Sequence, residues 1–189
     1  RETALQKAEW RDDGWLYLVG GSNLPASEVE VPGSYDQAGF DAERRYGFDG
    51  ELHIDFQWLR TPEPERIFRL EGGKLILIGR ESIGSWFEQA LVARRQTHFD
   101  FEAETEVSFE PRDEREMAGL TGYYGRYNFH YLHLTADPDG QRELNIFSSV
   151  VSHPDGKLTY WIDPVPVGDG PVRMKMRVEN SKSTPKRNR

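Results

Sequence analysis

The chain has 189 residues, 37% of them hydrophobic, no cysteine and a formal net charge of −8. This apolar content suffices for one sizeable core, a domain with an additional fragment. Without cysteine, a disulfide scaffold and a thiolate metal site are excluded, and a reducing compartment fits. No run approaches the roughly 20 apolar residues of a membrane-spanning helix, so no membrane association is expected.

The charge is unevenly distributed along the chain. The last nine residues hold Lys182, Lys186, Arg187 and Arg189 and no acid, so residues 1–180 carry 20 basic and 32 acidic groups, a net charge of −12. A body this acidic repels phosphate backbones, because nucleic-acid affinity depends on Lys and Arg clusters that release counterions. Nucleic acid is therefore not an expected partner. Residues 181–189 are predicted to form a disordered basic tail.

The opening segment differs from the rest of the chain. Residues 5–10 and 15–19 predict a β-hairpin across the turn at residues 11–14, and residues 33–39 have the polar, glycine-containing composition of a linker. The first dense alternating pattern begins only after Gly50. We therefore predict one unit over residues 1–35, a second domain over residues 36–180, and the tail beyond them.

The period of the second domain is two, which is typical of strands with one buried and one solvated face. Apolar residues alternate with acids in residues 99–109, and the acidic row is predicted to be a solvated stripe. Residues 52–58 repeat the alternation. One helical turn is predicted over residues 82–89, with Ser82 as its N-cap. Further strands are predicted over residues 67–70, 75–78, 90–93, 117–124, 129–135, 144–151, 157–162 and 172–178.

Turns rich in Gly, Asp and Pro separate these strands, at residues 71–73, 137–140, 154–156 and 168–171. Short strands at close spacing with such turns indicate antiparallel hairpins in a two-sheet sandwich or a barrel. The predicted fold class is therefore all-β and mostly antiparallel.

No catalytic residue can be nominated from the acids or the histidines. Glycoside hydrolysis requires two carboxyl groups, one with a raised pKa, but the acids here lie on exposed strand faces or in turns. His130 and His133 are three apart, which on a strand places them on opposite faces, so no metal site is predicted. Structural roles are expected for all five histidines, His53, His98, His130, His133 and His153.

Aromatic side chains gather around one predicted hairpin, at Tyr123, Tyr124, Tyr127, Phe129 and Tyr131. Flat rings beside polar groups can stack on sugars, whereas the simpler interpretation is that these rings fill a core. Phe129, Tyr131 and His133 share one face of their strand, and His130, Leu132 and Leu134 share the other. The second face is predicted to be the core side, leaving the first for a groove, a domain contact or a second sheet.

Several ordered runs of the sequence resemble glycoside hydrolase family 43 β-xylosidases. The runs that resemble the family's C-terminal β-sandwich are residues 56–62, 79–96, 117–124 and 128–132. Residues 1–7, 13–15 and 19–21 resemble the last strands of its five-bladed catalytic propeller. The resemblance covers about residues 1–178. It implies a concanavalin A-like, jelly-roll type sandwich preceded by a terminal propeller hairpin.

The resemblance also implies where the chemistry lies. In the family the propeller carries an aspartate base, a second aspartate and a glutamate acid, which act by inversion on xylosides or arabinofuranosides; all three would lie upstream of Arg1. Arg1 matches the family's arginine in the glycone pocket and is the one residue assigned to substrate binding. A divalent cation such as calcium would belong to the propeller, so no cofactor is assigned to this chain.

The sequence departs from the family after residue 178, where the basic tail replaces further strands and a loop that closes the active-site mouth. We therefore expect a fragment at both ends. The leading hypothesis is the non-catalytic C-terminal region of a cytoplasmic β-1,4-xylosidase or α-L-arabinofuranosidase, which supports and shapes the active site and meets xylo-oligosaccharide or arabinoside through the parent enzyme. A freestanding carbohydrate-binding module that uses the aromatics of residues 123–131 is the alternative. A homo-oligomerisation element is a third, weaker one.

Overall fold

The computed structural model describes residues 5–21, 24–26, 28–30, 33, 42–150 and 157–179. The chain divides into two compact units, Arg1–Arg45 and Tyr46–Arg189. The domain boundary predicted near residue 35 and the basic tail both lie outside the described residues and stay predictions. Among the residues described, no helix is long and apolar enough to cross a membrane.

The first unit contains one antiparallel hairpin. Its strands are β1 (Ala8–Trp10) and β2 (Leu16–Leu18), in a register that pairs Ala8 with Leu18. Gly14 closes the turn by donating its N–H to the Arg11 carbonyl (2.9 Å), in a left-handed conformation with φ of 79° that glycine adopts without strain. The predicted hairpin is confirmed.

The second unit is built from antiparallel strands, which confirms the all-β class. Its strands are β3 (Phe56–Trp58), β4 (Phe68–Glu71), β5 (Lys74–Leu77), β6 (Val92–Arg94), β7 (Phe101–Val107), β8 (Ala118–Gly125), β9 (Asn128–Ala136), β10 (Arg142–Val150), β11 (Leu158–Tyr160), β12 (Val165–Pro166) and β13 (Val172–Val178). The largest sheet has the order β11-β10-β9-β8, with β12 also paired to β10. Two-stranded sheets form from β7 with β13, β3 with β6, and β4 with β5.

Two expectations about local structure are wrong. Within residues 52–58 only Phe56–Trp58 is a strand, because the chain turns at Ile54, where Phe56 donates its N–H to the His53 carbonyl (2.9 Å). Ile54 is 89% exposed, whereas Asp55 is drawn inward, where it accepts a hydrogen bond from the Tyr46 hydroxyl. The alternation of residue types therefore does not follow burial in this segment.

Residues 82–89 form a turn instead of the predicted helical segment. Their carbonyls are engaged by a side chain: the amide nitrogen of Gln89 donates to the carbonyls of Ser82 (3.3 Å), Ile83 (2.6 Å) and Ser85 (2.9 Å). Helical N–H groups would require those same acceptors. The one helix among the described residues is a single 3₁₀ turn, Pro64–Arg66.

The core lies on both faces of β9. On one face Leu134 and Ala136 are buried, and on the other Phe129, His133 and Thr135 are buried. From the β7–β13 pair, Met174 is buried, and Met176 lies so close to Gly122 of β8 that a Cβ there would be 3.2 Å from its sulfur. The β7–β13 pair therefore packs on the largest sheet at this point.

Candidate functional site

Six rings form a continuous ladder on one face of the largest sheet. They belong to Tyr123, Phe129, Tyr131, His133, Phe147 and Tyr160, and cross-strand pairing places Phe147 between Tyr131 and Tyr160. The centroid of the Phe147 ring lies 5.7 Å from those of Tyr131 and Tyr160. It lies 5.0 Å from that of His133 and 5.8 Å from that of Phe129. Such offset and edge-to-face geometries are favourable between buried aromatic rings.

Half of this ladder is core: Phe129, His133 and Phe147 are buried, whereas Tyr123 and Tyr131 are half-buried and Tyr160 is exposed. Phe129 and His133 are 3% and 1% exposed, and desolvation raises the pKa of Tyr131 to about 12. Desolvation also lowers the pKa of His133, and its Nδ1 lies 3.3 Å from the Tyr131 carbonyl. The neutral imidazole, assigned as the Nδ1–H tautomer, therefore donates to that carbonyl.

The use of Phe129 as a sugar platform is consequently wrong, and the simpler interpretation of a core aromatic is confirmed for it, whereas Tyr131 is half-buried within the ladder. The prediction that the face of Leu132 and Leu134 is the core side holds at Leu134 but fails at His130, which is exposed. Tyr124 is also exposed, because a register shift between Tyr123 and Gly125 interrupts the pairing there.

A smaller surface cluster lies on the opposite face of the same sheet. Ser148 is fully buried, and its hydroxyl lies 2.5 Å from His130 Nδ1 while accepting a hydrogen bond from Trp161 Nε1 (2.7 Å). An indole N–H only donates, so the serine oxygen must be the acceptor from Trp161. The result is an exposed indole ring fixed beside an exposed imidazole.

Sequence reasoning missed Trp161. It lies outside the aromatic run of residues 123–131, and the signal that could have found it is the sequence Tyr160-Trp161-Ile162 directly before Asp163-Pro164. Three large apolar residues at a strand end, followed by a turn, rarely all reach a core. Here all three are exposed.

The carboxylates are distributed as exposed ion pairs. In the acidic row of β7, Glu102 pairs with Lys175 of β13 (2.7 Å) and Glu104 pairs with Arg173. The hydrogen bond from Lys175 lowers the pKa of Glu102, and that from Arg66 lowers the pKa of Glu88. The row is thus matched by a basic row that the sequence analysis did not connect with it.

The pKa of one carboxyl, that of Glu143, is shifted upward instead of downward. The main cause is burial of the carboxyl, and the charge of the neighbouring Asp137 adds to it.

No group of three or more His, Asp or Glu side chains suited to a metal ion occurs within the described ranges. His130 and His133 do lie on opposite faces, as predicted. Arg1 and His153 lie outside the described residues.

The fold and the site together define a class of protein, a β-rich domain with an aromatic core and an exposed aromatic surface cluster. Residues 45–186 match the family model described as the β-xylosidase C-terminal concanavalin A-like domain. The chain belongs to this family, which confirms the resemblance to glycoside hydrolase family 43 and its sandwich fold.

The relatives of this chain support the family assignment. Over 184 residues the chain is 56% identical to xylosidase/arabinosidase 43B of Humicola insolens, covering 94% of this chain and 34% of that protein. A β-xylosidase of Bacillus subtilis (strain 168) is 38% identical, covering 77% and 28%. The crystal structure of xylan β-1,4-xylosidase from Bacillus halodurans C-125 superposes with a TM-score of 0.74 at 32% identity, covering 92% and 34%. The chain spans about a third of these proteins.

Proposed function

We propose that this chain is the C-terminal region of a glycoside hydrolase that acts on β-1,4-xylosides or α-L-arabinofuranosides. In this proposal the sandwich supports and shapes the active site of a catalytic propeller. The propeller carries the catalytic carboxylates and any divalent cation, with Arg1 contributing to its glycone pocket. The parent enzyme is cytoplasmic, and its substrate is a xylo-oligosaccharide or an arabinoside.

The observation that carries this proposal is the exposure of the N-terminal hairpin. Trp10 is 74% exposed, and Leu5, Trp15 and Leu16 are exposed with it. A lone two-stranded hairpin is barely stable in water, and one whose large apolar side chains face solvent lacks the packing that would stabilise it. Such a hairpin is suited to be part of a larger β-structure, as the resemblance to a propeller's last strands implies.

The test compares the 189-residue chain with the full-length parent enzyme on chromogenic xylosides and arabinofuranosides. We expect turnover from the parent and none from the chain. In the parent, Arg1→Ala should raise KM or abolish turnover, because a guanidinium that binds sugar hydroxyls would be lost. Turnover by the chain alone at the parent's rate would contradict the assignment of the carboxylates to the propeller.

A second candidate function is sugar binding by this chain itself, and the Trp161 cluster favours it. Sugar rings stack on exposed, immobilised aromatic faces, and the Ser148 hydroxyl fixes the indole. Calorimetric titration with xylohexaose should then show saturable binding that is lost in Trp161→Ala and retained in Trp10→Ala, a matched change in the other compact unit. Equal binding by both variants would exclude the Trp161 cluster as the sugar site, and no binding by the unaltered chain would leave only the first function.

A further inference from the structure

The loop formed by residues 82–89, the Trp86 loop, exposes two large adjacent aromatic side chains. Trp86 is 60% exposed and Phe87 is 71% exposed. Single exposed aromatics are common on protein surfaces, but two neighbours on one loop form a contiguous apolar projection. Neither side chain contributes to the ring ladder or to the Trp161 cluster.

Hydrogen bonds and an ion pair fix the conformation of the Trp86 loop. Gln89, which is buried, engages three of its carbonyls, and Ser85 Oγ accepts the Phe87 N–H (3.1 Å). The backbone N–H of Glu81 donates to the Glu88 carbonyl (3.0 Å), and Arg66 forms a two-pronged ion pair with the Glu88 carboxylate (2.5 and 3.0 Å). Because the loop is ordered in advance, binding through it would cost little conformational entropy.

An arginine completes the projection. The Arg126 guanidinium lies 3.8 Å from the centroid of the Trp86 ring and 4.5 Å from that of Tyr127. Its Nε and Nη1 are buried and have no hydrogen-bond partner. Aromatic residues and Arg are enriched at protein interfaces, and Trp and Arg are among the residue types that contribute most to their energetics.

We propose that the Trp86 loop is the docking element through which this domain holds the part of the parent enzyme outside these 189 residues; this rests on the proposed function. The partner surface is an apolar pocket for Trp86 and Phe87, and Arg126 holds the Trp86 ring in place by stacking on it. Relatives are about three times as long as this chain, so about two thirds of the parent is available as the partner.

The size of the projection favours a partner in the same polypeptide over a second copy of the chain. Two aromatic side chains bury roughly 150–250 Å² each at most, whereas a stable complex of separate proteins buries about 800 Å² on each side. Covalent linkage supplies an effective concentration in the millimolar range, so a small, well-ordered patch suffices within one polypeptide.

The experiment is hydroxyl-radical footprinting of the 189-residue chain and of the full-length parent, read out residue by residue. We expect oxidation of Trp86 and Phe87 to be at least tenfold slower in the parent. The controls, Phe99 and Tyr124, are exposed aromatics that lie outside the Trp86 loop and should change less than twofold. Equal oxidation of Trp86 in both proteins would overturn the proposal.

Two further measurements separate the alternatives. If protection of Trp86 instead appears in the 189-residue chain as its concentration rises, together with a doubled mass in light scattering, the occupant is a second copy and the proposal is wrong. In the parent, Trp86→Ala with Phe87→Ala should accelerate proteolysis between its domains at least fivefold, whereas Phe99→Ala should not. A parent with a protected Trp86 and no activity on either xylosides or arabinofuranosides would reject the proposed function but support the docking element.

Discussion

The N-terminal hairpin and the largest sheet are both antiparallel, yet they differ in what stabilises them. In the hairpin, all of β1 is exposed, and the tryptophans at its turn project into solvent. In the sheet, β9 is covered on both faces by side chains from several strands. The same local pattern of strand, turn and strand therefore gives a stable structure only where a second layer removes apolar surface from water.

The largest expected effect comes from deleting an aromatic ring in the sheet and its counterpart in the hairpin. Phe129→Ala removes a buried ring that contacts Phe147 and Tyr123 and should lower the free energy of unfolding by about 3–5 kcal/mol. Trp10→Ala should change it by about 0.5 kcal/mol or less, because its ring is already solvated. Urea unfolding of both variants is the measurement, and equal losses would remove the distinction between the regions.

A smaller effect is expected where the strands approach most closely. A Cβ on Gly119 would lie 2.0 Å from the Leu132 carbonyl oxygen, so Gly119→Ala should force β8 and β9 apart and cost about 1–3 kcal/mol. Gly125→Ala, on the same strand with no atom within 4 Å of the added Cβ, is the matched control. Thermal unfolding should show a clear loss for Gly119→Ala and little change for the control; the reverse ranking would contradict the packing of the sheet.

The buried imidazole makes the sheet sensitive to acid. Because the folded pKa of His133 is lowered below 6.5, the unfolded chain binds a proton more readily than the folded one as the pH falls. The contribution of His133 is complete above about pH 6.5 and is lost as the pH falls toward the folded pKa. Unfolding free energies between pH 8 and 5 should decline less steeply in His133→Gln than in the unaltered chain.

The smallest effect is expected from the exposed ion pairs of β7 and β13. Lys175→Ala removes the partner of Glu102 and should lower the free energy of unfolding only slightly, less than any change above, since both side chains are half exposed and screened by salt. The cost should shrink further in 1 M salt. A larger, salt-independent loss would mean that the aliphatic stem of Lys175 contributes packing.

How much of the structure the sequence predicts depends on whether local periodicity or a specific side-chain contact determines the conformation of each segment. Residues 172–178 were predicted as a strand with the bounds that the structure has, because their alternation has a period of two and Gly-Asp-Gly-Pro precedes them. Residues 82–89 were mispredicted, because the side chain of Gln89 takes the carbonyl acceptors that a helix would need. Local periodicity contains no information about such a contact.

The candidate site was predicted less well, for a related reason. The aromatic run of residues 123–131 marks a hairpin rich in rings but does not show which of them a second layer covers. The sequence alone does not single out Trp161, because only the pairing of β10 with β11 places it near Ser148, 13 positions earlier in the chain. The resemblance to the β-xylosidase domain identified the family, whereas the choice between core and surface rings required the sheet.

The facing rows of charge on β7 and β13 have a consequence for how this pair of strands finds its alignment. Glutamates occupy every second position of β7, and basic residues occupy every second position of β13, from Arg173 to Arg177. Sliding one strand by two residues would still leave opposite charges face to face, so electrostatics alone tolerates several alignments. The apolar side is less permissive, because Met176 needs the space left by Gly122. A methionine and a glycine therefore fix the position of β13 along β8, a constraint that the conspicuous ion pairs between β7 and β13 do not supply.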